Sequence, residues 1–155
     1  MIALENAQRD SFVLLHLAER RFALPAEAVA ELAPPVRLHT FPHTSSLLAG
    51  VIVRRGRILP VYDAARALSG KSSLAHRFYL VARRQFGEVS EMSAIPVDGE
   101  CELVTSEVRP QAESAPAYIS GEIAVGDESV GILDIEAFVR THQNPAAGGR
   151  SEVRA

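Results

Sequence analysis

The sequence predicts a mainly β protein made of two similar small β subdomains packed side by side. The apolar runs are brief, rich in β-branched residues and bounded by glycine or proline, which is typical of β sandwiches and barrels. In addition, segments 47–68 and 118–139 align without a gap at an offset of 71 residues. Each segment has the pattern strand, turn, strand and then a helix after an aspartate. A repeat of this length exceeds those of solenoids and propellers, so it favours two related subdomains that share a core.

The repeat rests on four matched pairs of residues. The pairs are Gly50 with Gly121, Ile52 with Ile123, Val61 with Ile132, and Asp63 with Asp134. A chance match is the alternative, because small β folds reuse such patterns.

The elements follow in chain order from local patterns. Residues 11–24 predict a hairpin, since apolar positions alternate on both sides of a short polar turn. Pro25 and the helix formers after it predict a helix of one or two turns, which Pro34 and Pro35 end. Further strands are predicted at 36–41, 47–53, 58–62, 77–82, 94–97, 101–104, 118–125 and 129–133, and helices at 64–68 and 135–142.

The chain ends and the composition set the remaining limits. We expect a flexible N-terminus at 1–10, a folded region at 11–142 and a disordered tail at 143–155, whose deletion should leave the melting temperature almost unchanged.

The chain has 155 residues, 47% of them hydrophobic and 23% charged, which excludes a disordered or coiled-coil protein. A single cysteine excludes an internal disulfide and a cysteine-based zinc site. Without an apolar run near ~20 residues or a signal peptide, we expect a cytoplasmic protein with no direct membrane insertion.

The charge is distributed unevenly along the chain. The net charge is −3, but residues 1–80 carry +4 (ten basic and six acidic side chains) and residues 81–155 carry −7 (six and thirteen). This split favours oriented docking onto other proteins over a nucleic-acid groove, and a solvated surface without a binding role is the commoner alternative. A nucleic-acid-binding β barrel is one alternative, but it needs stacking aromatic rings, and only 6% of residues are aromatic.

Motifs for catalysis or for a cofactor are weak. The Ser-Gly-Lys-Ser run at 69–72 has Ala65 where a phosphate-binding loop needs glycine. His39 and His43 have the spacing of a helical metal pair, but a proline between them forbids a continuous helix. His16 lies among apolar residues and is interpreted as a half-buried structural histidine. We therefore expect no enzyme, no metal and no cofactor, and the alternative of an enzyme would need a pocket of groups with perturbed pKa values.

The segment Arg54-Arg55-Gly56-Arg57 lies between two predicted strands. Three guanidinium groups in four residues can grip carboxylates or phosphates, since the planar fork favours bidentate contacts. A solvated turn is the equally weighted alternative. Gly56 permits a positive φ and a close approach by a partner.

With these residues the chain resembles the CheW family of chemotaxis coupling proteins over about residues 11–140. The most specific match is G-V-I-x-x-R-G-x-I-x-P-V-x-D at 50–63, and further matches lie at 12–17, 29–32, 97–98, 118–121 and 132–134. The resemblance implies two interleaved SH3-like five-stranded β barrels side by side, with short helices. It also implies a non-enzymatic adaptor that binds the regulatory domain of a CheA-type histidine kinase and the cytoplasmic tips of chemoreceptors.

The sequence differs from the usual family pattern at several positions, and these differences leave open which chemosensory pathway the protein serves. Val53-Arg54 stands where the family usually has Asn-Leu, and Asp63-Ala64 where it usually has Asp-Leu. Pro96 lies where a glycine is expected, and Glu100 takes a usually apolar position. A flagellar, a pilus or another chemosensory system therefore stays open.

The resemblance also implies a receptor-binding site. Arg55 matches the family's receptor-coupling arginine, and Glu31 matches the acid of its V-x-E-I motif. We expect a shallow apolar groove formed by Val29, Leu32 and Val97 and bordered by Arg55, which Glu31 steadies at ~4 Å. The predicted receptor-binding residues are Val29, Glu31, Leu32, Arg55, Gly56 and Val97. Interfaces near or below ~1,200 Å² and micromolar affinities are expected, and the kinase contacts are not identified.

Overall fold

The structure is a computed structural model that describes residues 9–71, 78–86 and 88–143. These residues form ten strands, two α-helices and one 3-10 turn. The strands are β1 (Arg9–Leu17), β2 (Arg20–Pro25), β3 (Val29–Ala33), β4 (Leu48–Arg54), β5 (Arg57–Tyr62), β6 (Phe78–Phe86), β7 (Val89–Val97), β8 (Glu102–Glu107), β9 (Ile119–Val125) and β10 (Glu128–Leu133). The helices are α1 (Ala64–Ser69) and α2 (Ile135–Gln143), and the 3-10 turn is Ala26–Ala28.

The strands form two five-stranded sheets, and the chain builds all five strands of the second sheet between strands β2 and β8 of the first. The first sheet has the order β8-β1-β2-β10-β9 and the second β3-β6-β7-β5-β4. In each sheet, a backbone bridge ties the segment after one edge strand to the other edge strand: Arg109 to Glu122 in the first, His39 to Val51 in the second. The two sheets therefore close on themselves, and we call them the first barrel and the second barrel.

The repeat seen in the sequence is present in the structure. In both copies the aspartate N–H donates to a carbonyl at the start of the hairpin, Asp63 to Leu47 and Asp134 to Tyr118, each at 2.8 Å. Both aspartate side chains also cap the following helix, through Arg66 N–H at 3.1 Å and through Ala137 N–H at 3.0 Å. The matched aspartates thus fix the same strand-to-helix corner twice.

The matched glycines lie where each barrel closes. A Cβ on Gly50 would stand 2.4 Å from the carbonyl oxygen of His39, and one on Gly121 would stand 3.1 Å from that of Arg109. Both positions therefore place a bare backbone against the bridging segment.

Among the described residues, the buried apolar side chains form three clusters, one inside each barrel and one between the barrels. Leu14 belongs to the first barrel's interior, whereas Leu15 and Leu17 pack between the barrels. In the same way Val81 lies inside the second barrel and Leu80 between the barrels. Strands buried on both faces explain why the apolar runs are continuous.

A buried arginine also ties the second barrel to α2. Arg84, only 7% exposed, donates to the Glu136 carboxylate at 3.2 and 3.3 Å and to the Tyr62 hydroxyl at 2.9 Å. Hydrogen-bonding partners of this kind are what allow a charge to be buried between the barrels.

Three local predictions are wrong. After Pro25 only Ala26–Ala28 is helical, and residues 29–33 form β3 because pairing with β6 outweighs their helix propensity. Residues 36–41 form no strand, and only the bridge at His39 remains of it, since prolines on both sides limit backbone pairing. His16 is exposed rather than half-buried.

The boundaries of the folded region also differ slightly. Strand β1 begins at Arg9, within the segment predicted to be a flexible N-terminus, and α2 ends at Gln143. Residues 1–8 and the rest of the predicted tail, 144–155, lie outside the described residues. Within the described ranges, no helix is both long enough and apolar enough to cross a membrane.

Candidate functional site

A cavity of about 300 Å³ opens at one end of the second barrel. Its floor is apolar, because Leu59 and Val81 belong to the barrel's interior cluster and Met92 packs against that cluster. Its rim is charged. The lining residues are Ala30, Glu31, Arg54, Arg55, Arg57, Leu59, Val81 and Met92. We call this cavity the barrel mouth.

The hairpin of β4 and β5 places three arginines at the mouth. Arg54 and Arg57 form the last cross-strand pair, and Arg55 and Gly56 make the two-residue turn with φ values of 54° and 76°. Two successive positive φ values are the geometry of a type I′ turn, whose twist matches that of the strands. The positive φ predicted for Gly56 is confirmed.

Glu31 holds Arg54 in a bidentate ion pair. The Arg54 Nε donates to Oε2 and the Arg54 Nη2 to Oε1, both at 2.9 Å. Arg55 reaches the same Oε1 only at 3.4 Å, and 73% of its side chain is exposed, against 24% for Arg54. The predicted contact between Glu31 and Arg55 is therefore present, but Arg54 is the closer partner.

The ion pair fixes the protonation state of Glu31. Hydrogen bonds from Arg54 lower the pKa of its carboxyl from 4.5 to about 2, with a smaller contribution from Arg55, while desolvation acts in the opposite direction. The same pair raises the pKa of Arg54. Glu31 is thus a permanent anion that is neutralised within the chain.

The other predicted site residues lie elsewhere. Val29 is half-buried against the cluster between the barrels, and Leu32, on the same strand as Glu31, is 38% exposed; neither lines the mouth. Val97 is only 1% exposed, so its prediction as a groove residue is wrong. The second half of strand β7, residues 93–97, is buried on both faces, and Val97 faces the interface between the barrels.

Sequence reasoning missed Arg54 as the partner of Glu31, and it missed the apolar floor. Strand alternation was the available signal, because Arg54 is two residues after the interior residue Ile52 and so shares its inward side. The floor residues Leu59, Val81 and Met92 come from three strands, and only the closed barrel brings them together.

The weaker motifs have structural explanations. Ser69 ends α1, and Gly70 caps it with a φ of 80° and an N–H bond of 2.7 Å to the Arg66 carbonyl; Ser72 lies outside the described residues. Within the described part of the chain, no three histidine, cysteine or carboxylate side chains group to hold a metal.

Two small closed barrels, one of them with a charged mouth, make up a double-barrel domain. The CheW-like domain matches residues 11–143, and the chain belongs to that family. It is 24% identical over 151 residues to Protein FrzA of Myxococcus xanthus, covering 94% of each chain. The crystal structure of the scaffolding protein TtCheW from Thermoanaerobacter tengcongensis superposes with a TM-score of 0.69 at 20% identity, covering 81% of this chain and 84% of that one.

These similarities confirm the predicted family and the fold of two SH3-like five-stranded barrels. The protein is a chemotaxis coupling adaptor of the CheW type, and members of its family are scaffolding adaptors. Such a scaffold interacts with chemotaxis signalling proteins.

Proposed function

We propose that this adaptor works in the cytoplasm without catalysis and joins two partners. One is the regulatory domain of a CheA-type histidine kinase, and the other is the cytoplasmic tip of a chemoreceptor. The receptor binds at the barrel mouth. One observation carries this assignment: the two motif residues Glu31 and Arg55, which lie 24 positions apart, meet at 3.4 Å above an apolar floor.

The mouth has the features of a protein-docking site. Arg55 presents an exposed guanidinium that can make two parallel hydrogen bonds to a carboxylate. Half-buried Met92 offers apolar surface next to it, above the buried Leu59 and Val81. An arginine beside an apolar pocket is typical of interface hot spots. The lining contains no aromatic ring on which a nucleobase could stack, which disfavours the nucleic-acid alternative.

The ionisable groups support a role without catalysis. Glu31 is held ionised far below neutral pH, so it is a poor proton carrier there. Burial raises the pKa of the Cys101 thiol, which disfavours the reactive thiolate form.

Replacing Arg55 with alanine tests the receptor surface. Arg140→Ala is the matched control, because Arg140 is 68% exposed and lies 3.5 Å from Glu136, nearly as Arg55 does from Glu31. Arg55→Ala should weaken binding to a receptor-tip fragment by roughly 30-fold, as expected for a hot spot worth ~2 kcal/mol, and Arg140→Ala should not. Both variants should keep their unfolding free energy within ~0.5 kcal/mol of the wild type.

The measurement is isothermal titration with receptor-tip and CheA-type regulatory-domain fragments from the source organism. Kinase binding by Arg55→Ala should stay within about twofold of the wild type, because we expect the kinase to bind a surface separate from the mouth. Equal receptor affinity for wild type and Arg55→Ala would refute the assignment of the mouth.

A further inference from the structure

The barrel mouth has a defined charge. Three arginines and one glutamate line it, which leaves a formal charge of +2. The single negative charge is engaged inside the chain, because both oxygens of Glu31 accept hydrogen bonds from Arg54 at 2.9 Å. The charges presented outward are those of Arg55, which is 73% exposed, and of Arg57, which is also exposed.

Arg54 determines how available Arg55 is. The nearest Glu31 oxygen already lies 3.4 Å from the Arg55 guanidinium. Without Arg54, that carboxylate would be free to turn fully to Arg55 and neutralise it, since a bidentate pair with arginine is the favoured geometry. By holding Glu31, Arg54 leaves the fork of Arg55 open to a partner.

We propose that the barrel mouth recognises an acidic segment, in which a carboxylate side chain lies beside an aliphatic one, and that Arg54 sets this specificity as a positioning residue. The carboxylate pairs with Arg55 and Arg57, and the aliphatic side chain packs on the half-buried Met92, above the buried Leu59 and Val81. This inference rests on the proposed receptor surface and names the chemistry of its ligand. Charge complementarity between a +2 rim and an acidic segment is the argument for the occupant.

Met92 provides a direct reporter for the test. The chain has two methionines, Met1 and Met92, so methyl-labelled methionine gives a mouth signal and an internal control. The acidic probe is a helical peptide of about fifteen residues with leucine and glutamate four positions apart, so that both share one face. The second probe is the same peptide with lysine in place of each glutamate.

The acidic probe should shift the Met92 methyl signal and bind at least about tenfold more tightly than the lysine probe. Its affinity should fall as salt is raised, since exposed charge pairs are screened. Equal or tighter binding of the lysine probe, or no shift with either probe, would overturn the proposal.

A double-mutant cycle tests the role of Arg54. Arg54→Leu should weaken the acidic probe roughly tenfold, because Glu31 then neutralises Arg55, and Arg54→Lys should restore part of the loss. The double variant Arg54→Leu with Glu31→Gln should recover the affinity to within about threefold of the wild type, since no carboxylate remains to be held. If Arg54 only supported the fold, Arg54→Leu would weaken the binding of both probes equally, and the double variant would not recover affinity. That result would remove Arg54 from the proposal.

The two proposals fail in different ways. If Arg55→Ala abolishes receptor binding but the wild type shows no preference between the probes, acidic recognition is wrong and the receptor surface stands. If the acidic probe is preferred but Arg55→Ala leaves receptor affinity unchanged, the mouth is an acidic-segment site and its assignment as the receptor surface is wrong.

Discussion

Alanine at Gly50 and at Gly121 should have very different effects on stability, although the repeat makes the two positions equivalent. At each position the glycine lies beside a bridge of two backbone hydrogen bonds. His39 and Val51 are joined at 2.8 and 2.9 Å, and Arg109 and Glu122 at the same two distances. The two substitutions therefore perturb the same closure in the two barrels.

The magnitude follows from the space beside each glycine. A Cβ at Gly50 would meet the His39 carbonyl oxygen at 2.4 Å, so the backbones must separate by about 1 Å, and both bridge bonds weaken. Two hydrogen bonds at ~1 kcal/mol each, with ~1 kcal/mol for a non-glycine residue at a φ of 153°, give a cost of about 3 kcal/mol. At Gly121 the contact is 3.1 Å and φ is not positive, so the cost should be about 1 kcal/mol or less.

Urea unfolding followed by circular dichroism measures both costs. Gly126→Ala is the control for backbone strain alone, because Gly126 has a φ of 63° and no atom within 4 Å of its added Cβ. We expect it to cost ~1 kcal/mol. If Gly50→Ala and Gly121→Ala differ by less than ~0.5 kcal/mol, close approach at the bridge does not control Gly50, and the reasoning is wrong.

Two further predictions concern the predicted site residues. Because the pKa of Glu31 is about 2 in the folded state and 4.5 ordinarily, Glu31 contributes stability above pH 4.5 that is lost as the pH falls toward 2. Urea unfolding at about pH 6 and about pH 3 should show a lower unfolding free energy for the wild type at the lower pH. If a Glu31→Gln variant lost the same unfolding free energy, the ion pair would not be the cause. Val97→Ala should cost about 2 kcal/mol by leaving a cavity between the barrels, yet keep receptor-tip affinity; a weakened affinity with unchanged unfolding free energy would return Val97 to the site.

The sequence predicted the strands well wherever strand pattern and repeat agreed. Both copies of the hairpin and its aspartate-capped helix were found, because alternation, turn residues and caps are local signals. Residues 29–33 were missed for the opposite reason. Their alanine, glutamate and leucine favour a helix locally, and only pairing with the distant strand β6 makes them a strand.

Within the candidate site, the contact that was predicted correctly joins two residues that the family motifs identify. Glu31 and Arg55 were expected to meet and do so, but the roles within the cluster depend on side-chain direction. Arg54 lies on the inward side at the end of β4 and so reaches Glu31 more closely than Arg55 does. Val97 was misplaced because residues 93–97 of β7 are buried on both faces, and alternation cannot tell the interior of one barrel from the interface between two.

The repeat separates what the fold requires from what the site uses. The bonds that close the barrels and cap the helices have matching lengths in the two copies, whereas the hairpin tips differ in charge. The hairpin tip of the second barrel has Arg54, Arg55 and Arg57. The equivalent tip of the first barrel has Asp127 and Glu128, and Glu128 is paired to Arg21. Because a two-residue turn needs only its backbone conformation, its side chains are free to differ. The two equivalent hairpin tips are thus both two-residue turns but carry charges of opposite sign, and among the described residues only one of the two carboxylates forms an ion pair, that of Glu128 with Arg21.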